Sequence, residues 1–134
     1  MSTRSKRLKV LLLSGQEAAT ELLREILARH VELANAGSLE ELHRHLERGR
    51  FDAFLCEWSF QGGTWQDALS EIQDRYPGLP TIVVSRVGEE REWVEVLAAG
   101  AFDLVTAPFC ERAVLSVLEH AVASYRGRSL ERVA

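Results

Sequence analysis

The sequence predicts an α/β domain built on a doubly wound parallel sheet. Five short apolar runs are continuous rather than alternating, which is the pattern of strands buried on both faces. Each run is followed by a segment whose apolar residues recur at helical spacing. Turn and helix-stop residues lie between them, at Gly49, Gly62-Gly63, Pro77 and Gly100. Strict alternation of strands and helices implies a parallel sheet with helices on both of its faces.

The elements follow in order. Val10-Leu11-Leu12-Leu13 is the first strand. Glu17 to His30 has helical spacing, with Leu22, Leu23, Ile26 and Leu27 on one stripe. Ser14-Gly15-Gln16-Glu17 fits a capping box for that helix. Val31 to Ala34 is a short second strand. Ser38, with Glu41 three residues later, opens a second helix through Leu39, Leu42 and Leu46 that stops at Gly49. Phe51 to Glu57 is the third strand, and Thr64 with Asp67 caps a helix that ends before Pro77. Thr81 to Ser85 is the fourth strand, and Glu89 to Ala99 a helix stopped by Gly100. Leu104-Val105-Thr106 is the fifth strand. Glu111 to about Tyr125 is the last helix, with Val114, Leu115, Val117, Leu118 and Val122 apolar.

A chain of 134 residues accommodates one domain with a single sizeable core. Residues 1–7 are expected to form a leader, 8–126 the folded domain, and 127–134 a polar tail or the start of a linker. With 46% hydrophobic and 27% charged residues, the composition is that of a globular domain. A net charge of −4 gives no global pull toward nucleic acid. Val10 to Leu13 is far too short to span a membrane. Cys56 and Cys110 form neither a disulfide framework nor a metal pattern, which points to a reducing, cytoplasmic setting. His43 and His45 are two apart on a helix and face different directions, while His30 and His120 lack partners at ligand spacing. Cys110 near a helix start reads as an ordinary surface residue, and Trp58, Trp65 and Trp93 as half-buried packing.

Function in such a sheet sits at the carboxyl ends of the strands. The residues there are Ser14, Gly15, Gln16, Glu57, Ser85, Arg86, Thr106 and Ala107. They form no nucleophile–base pair and no metal cluster, and no Gly-rich phosphate loop precedes them. Neither an enzymatic role nor a cofactor is expected.

Four stretches, in order and at fitting spacing, carry a family resemblance. They are Lys9 to Leu13, Phe51 to Trp58, Pro80 to Ser85, and the corner from Ala98 to Phe109. Together they resemble the receiver domain of two-component response regulators, over residues 8 to 125. The resemblance implies a flavodoxin-like fold with five helices and strand order 2-1-3-4-5. It also implies a phosphoryl-transfer pocket that needs an acidic pair after the first strand, an aspartate at the third, and a lysine before Pro108.

At those positions the chain has Ser14 and Gly15, Glu57, and Ala107, while Ser85 matches the Ser/Thr position. The Mg²⁺ ligands and the cationic clamp are thereby lost. Glu57 also places its oxygens more than about an ångström further out than aspartate would, a misplacement that can cost about 10²-fold in rate. The sequence therefore reads as a receiver that does not perform the family's phosphotransfer and acts as a protein-interaction or regulatory module. Glu57 admits a second role, as a mimic of phosphorylated aspartate that locks an active-like state. Arg86 is a candidate partner for the Glu57 carboxylate. An unconventional phosphosite, a small-ligand sensor in the vacated pocket, and a small flavodoxin-like enzyme also remain open. The partner is expected to be a protein, either a fused or separate output domain or a kinase, with a homodimer as a further expectation. By resemblance, the contact face comprises the fourth helix, fifth strand and fifth helix, with Val94, Leu97, Leu104, Leu118 and Val122 supplying apolar surface.

Overall fold

The computed structural model describes residues 7–15 and 18–133. The basic residues Arg4 and Lys6 of the expected leader lie outside them, as do Gln16 and Glu17 of the proposed cap. Five parallel strands form one sheet: β1 (Lys9–Leu13), β2 (Glu32–Ala36), β3 (Ala53–Glu57), β6 (Thr81–Ser85) and β7 (Asp103–Thr106). Their spatial order is β2-β1-β3-β6-β7, with every pairing parallel. This is the expected 2-1-3-4-5 order, with β6 and β7 as the fourth and fifth strands of the sheet.

Five helices cover it: α1 (Ala18–His30), α2 (Leu39–Arg48), α3 (Trp65–Arg75), α4 (Glu90–Ala99) and α5 (Glu111–Val133). The period-two alternation of the strands sorts their side chains to two layers. Leu11, Leu13, Phe54, Cys56 and Val83 pack with Leu42, Leu46, Leu69, Ile72 and Val96 from α2, α3 and α4. Val10, Leu12, Leu55, Ile82 and Val84 pack with Leu23, Leu27, Val114 and Leu118 from α1 and α5. Ala53, Leu55 and Glu57 share a parity, so Glu57 is directed to the α1–α5 side.

The caps are short-range devices. Glu41 N–H donates to Ser38 Oγ at 3.3 Å, and Glu41 Oε1 reaches back to Gly37 N–H at 2.6 Å. Thr64 N–H donates to Asp67 Oδ2 at 2.9 Å. Gly100 ends α4 at φ 106°, a conformation open to glycine.

Several expectations are corrected. The segment after β3 holds a two-stranded antiparallel hairpin, β4 (Ser59–Phe60) and β5 (Gly63–Thr64), turned at Gly62 with φ 89°. Two-residue strands are too short to leave a periodic signal. The last helix continues past Tyr125 to Val133, because the sequence there has no proline and its one glycine, Gly127, weakens a helix without ending it. Leu22 is 47% exposed and lies off the buried stripe of α1.

Leu104, Leu118 and Val122 are at most 5% exposed, so they belong to the core and not to a contact face. Sequence pattern alone does not separate the buried from the exposed flank of an amphipathic element. Val94 and Leu97 are exposed on α4, beside Trp93. No helix among the described residues is long and apolar enough to cross a membrane.

Phe54 is fully buried in the central strand. Phe54→Ala is expected to destabilise the domain by about 3–5 kcal/mol through lost burial and a residual cavity. Urea unfolding checks this; an unchanged midpoint would contradict the packing described.

Candidate functional site

The site forms where β1, β3, β6 and β7 end. The register pairs Leu13 with Cys56, Glu57 with Val84, and Ser85 with Thr106. Ser14, Gly15, Glu57, Ser85, Thr106 and Ala107 thus meet at one edge of the sheet. A cavity of about 120 Å³ opens there, walled in part by Glu57, Trp58, Ser85, Arg86 and Glu92.

Glu57 is only 6% exposed. A carboxylate so placed requires hydrogen-bond donors. Gly15 N–H donates to Oε1, and the hydroxyl of Thr20, itself buried on α1, donates to Oε2. Thr20 is a functional residue the sequence reading missed.

The carboxylate also marks its neighbour. Burial first, and the negative charge of Glu57 second, push the Cys56 thiol well above its ordinary range. A thiol held protonated in this way is a poor nucleophile.

Ser14 is bonded to both α1 and β2. Its Oγ accepts a hydrogen bond from Arg24 Nη2 at 2.8 Å, and its N–H donates to Ala36 O at 2.9 Å. Arg24 also donates to Asn35 Oδ1 at 3.0 Å and pairs with Glu21. A guanidinium therefore lies against Ser14, at the position where the resemblance implies an acidic ligand.

Ser85 organises the loop between β6 and α4. Its hydroxyl donates to Glu92 Oε1 at 2.6 Å. Its oxygen accepts from Val87 N–H at 3.1 Å and Gly88 N–H at 3.2 Å. Gly88 N–H also donates to Glu92 Oε1 at 2.9 Å. Gly88 has φ 68°, and a Cβ there would come within 2.6 Å of Thr106 Cγ2. Thr106 is thus a packing partner of this loop. Glu92 was missed in the sequence, where it reads as one more exposed helix glutamate.

Ala107 N–H donates to Ser85 O at 3.0 Å, and its methyl packs on the α1–α5 core layer. The Ala107-Pro108 peptide is cis. Arg86 is exposed at the cavity mouth. His43 Nε2 lies 3.4 Å from Glu71 Oε1, and His30 Nε2 lies 3.0 Å from Glu111 Oε2.

The pocket does not fit Mg²⁺. The cation requires several oxygen ligands, carboxylates foremost. Glu57 is the one carboxylate that the described residues supply among the three positions, and each of its oxygens already accepts a hydrogen bond. The Arg24 guanidinium on Ser14 adds positive charge beside the cation position. Among the described residues, no three His, Cys, Asp or Glu side chains converge to hold a metal.

Thr20→Val keeps the side chain's shape and removes its hydroxyl. It is expected to cost about 1–3 kcal/mol, because a buried carboxylate oxygen loses its donor. Denaturant unfolding of Thr20→Val against Thr20→Ser measures this. Equal loss in both variants would show that the hydroxyl is not the relevant group.

Known proteins share this family and fold. The family model described as "Response regulator receiver domain" matches residues 6–119. The response regulator protein PilR of Pseudomonas aeruginosa is 30% identical over 103 residues, covering 76% of this chain and 23% of that protein. The chain thus spans about a quarter of that relative's length. The signal receiver domain of an HD domain-containing protein from Pseudomonas fluorescens Pf-5 superposes with a TM-score of 0.81. It is 17% identical and covers 96% of each chain, which shows the shared fold. The beryllofluoride-activated NtrC4 receiver domain dimer gives a TM-score of 0.77 at 22% identity, covering 87% of this chain and 98% of that one. The chain belongs to the response regulator receiver domain family.

Proposed function

We propose that this receiver domain is a protein-interaction module of signal transduction that takes up no phosphoryl group at Glu57. The observation that carries the reading is the Glu57 carboxylate, buried and hydrogen-bonded by Gly15 N–H and the Thr20 hydroxyl. Phosphoryl transfer to a carboxylate needs an exposed oxygen nucleophile and cations that neutralise charge as it develops. Here the oxygens are engaged, the metal position is not acidic, and the clamp position is the methyl of Ala107.

The reading of Glu57 as a phospho-aspartate mimic receives less support. A carboxylate imitating a phosphoryl group would draw in the Ser85 hydroxyl, which is instead donated to Glu92. The small-ligand reading rests on the cavity of about 120 Å³, whose two carboxylates already accept hydrogen bonds from the chain.

The contact face in this proposal is α4, where Trp93, Val94 and Leu97 are 42%, 62% and 49% exposed. A partner there would bury a compact apolar patch. A second copy of the chain is one candidate, in line with the dimer formed by the NtrC4 receiver. A kinase or an output domain, fused or separate, is another.

Incubation with acetyl phosphate and Mg²⁺, followed by intact-mass measurement, is expected to leave the mass unchanged. A stoichiometric acid-labile adduct at Glu57 would overturn the proposal.

Arg86 and Glu57 line the same cavity, and the proposal couples them. In a double-mutant cycle of Arg86→Ala and Glu57→Gln, a coupling of about 1 kcal/mol is expected. Zero coupling, together with unchanged amide exchange from Ser85 to Gly88, would make Arg86 a solvated loop residue.

A further inference from the structure

The amino end of the sheet, opposite Glu57, carries a second and chemically different site. The chain's net charge is −4, yet cations converge here. A cleft of about 840 Å³ is bordered by Arg7, Lys9, Arg50 and Arg126. They come from four separate segments: the approach to β1, β1 itself, the turn between α2 and β3, and α5. Two carboxylates, Asp52 and Glu32, share the cleft.

Asp52 is consumed within the chain. Its Oδ2 accepts the Lys9 backbone N–H at 2.8 Å, and its Oδ1 accepts Arg126 Nη2 at 3.2 Å. The second bond fixes Arg126 at the cleft wall. Arg7 Nη2 makes one long bond, 3.4 Å, to Ala28 O at the end of α1. Among the described residues, the Arg50 guanidinium and the Lys9 ammonium make no ion pair or side-chain hydrogen bond. Four cations against two carboxylates leave a local excess of positive charge on an otherwise acidic protein.

We propose that this cleft binds a polyphosphate anion, meaning two or more linked phosphates, through Arg7, Arg50 and Arg126, with Lys9 beside them. Guanidinium is the group suited to this task, since its fork of N–H donors matches phosphate oxygens bidentately. Several guanidinium groups spread around a cleft of this size fit a chain of phosphates better than a single one. The lining holds no aromatic ring on which a base could stack, and Leu8 is its one apolar side chain. The phosphate chain is therefore the recognised element. The site is independent of the Glu57 pocket, so either proposal stands or falls without the other.

Calorimetric titration of the protein with inorganic pyrophosphate and with orthophosphate, at low and at physiological salt, tests the proposal. Pyrophosphate is expected to bind about tenfold more tightly than orthophosphate, with affinity falling as salt rises. Arg50→Ala and Arg7→Ala each remove an exposed side chain and are expected to raise the pyrophosphate Kd about fivefold. Arg91→Ala, on α4 outside the cleft, is expected to leave it unchanged. Three results would each overturn the proposal: no saturable pyrophosphate binding, equal affinity for the two anions, or an equal effect of Arg91→Ala. Tighter binding of an oligoglutamate peptide than of pyrophosphate would overturn it too, by assigning the cleft to an acidic protein segment.

Discussion

One buried carboxylate governs the carboxyl end of this sheet. Burial of an ionised group is costly without donors to replace water, and β3 delivers Glu57 to the edge of the α1–α5 layer with little exposure. The chain meets the cost locally. Gly15 turns its N–H toward the carboxylate, and α1 brings the Thr20 hydroxyl to the other oxygen. One donor lies on the β1–α1 connection and the other in the first turn of α1, so the carboxylate ties both to the central strand. The raised Cys56 pKa follows from the same burial and the same charge.

The neighbouring loop is fixed by an independent network. Ser85, Gly88 and Glu92 bond to one another, and Thr106 fills the space that a side chain at position 88 would need. This couples the ends of β6 and β7 to the first turn of α4. The exposed apolar residues of α4 stand on that element, so a partner seated on them, as proposed, would act on the loop through a helix fastened to Ser85. Coupling of this kind needs no phosphoryl group. It needs only that the partner bind one arrangement of the loop better than another.

The fold was legible in the sequence because its signals are repetitive. Continuous apolar strands such as Val10 to Leu13 and alternating helical stripes state a parallel sheet several times over. The positions of Ser14, Gly15, Glu57, Ser85 and Ala107 followed from the strand ends. What stayed hidden depends on single side chains. Thr20 and Glu92 belong to no pattern until the helices are docked. The β4–β5 hairpin is too short to be periodic, and Leu104, Leu118 and Val122 look like surface residues until the helices settle on the sheet. The far end of α5 was obscured by polar composition, which describes an exposed helix as well as a linker.

The proposed absence of phosphoryl chemistry is physically consistent with an intact scaffold. The core layers rest on Leu, Ile, Val and Phe packing that makes no use of the pocket's charges. Substituting carboxylates and a lysine at the strand ends removes groups that repel one another or need a metal. That leaves the hydrophobic stabilisation of the sheet intact. Receiver activity, by contrast, requires acidic residues crowded together and poised for a cation, an arrangement that costs stability when the cation is absent. Ser14 bonded to Arg24, and Ala107 packed on the core, are satisfied contacts that build up no such repulsion. In the proposed reading this end of the sheet needs no metal to balance its charge, because the Glu57 carboxylate is met by a backbone N–H and a hydroxyl of the chain itself.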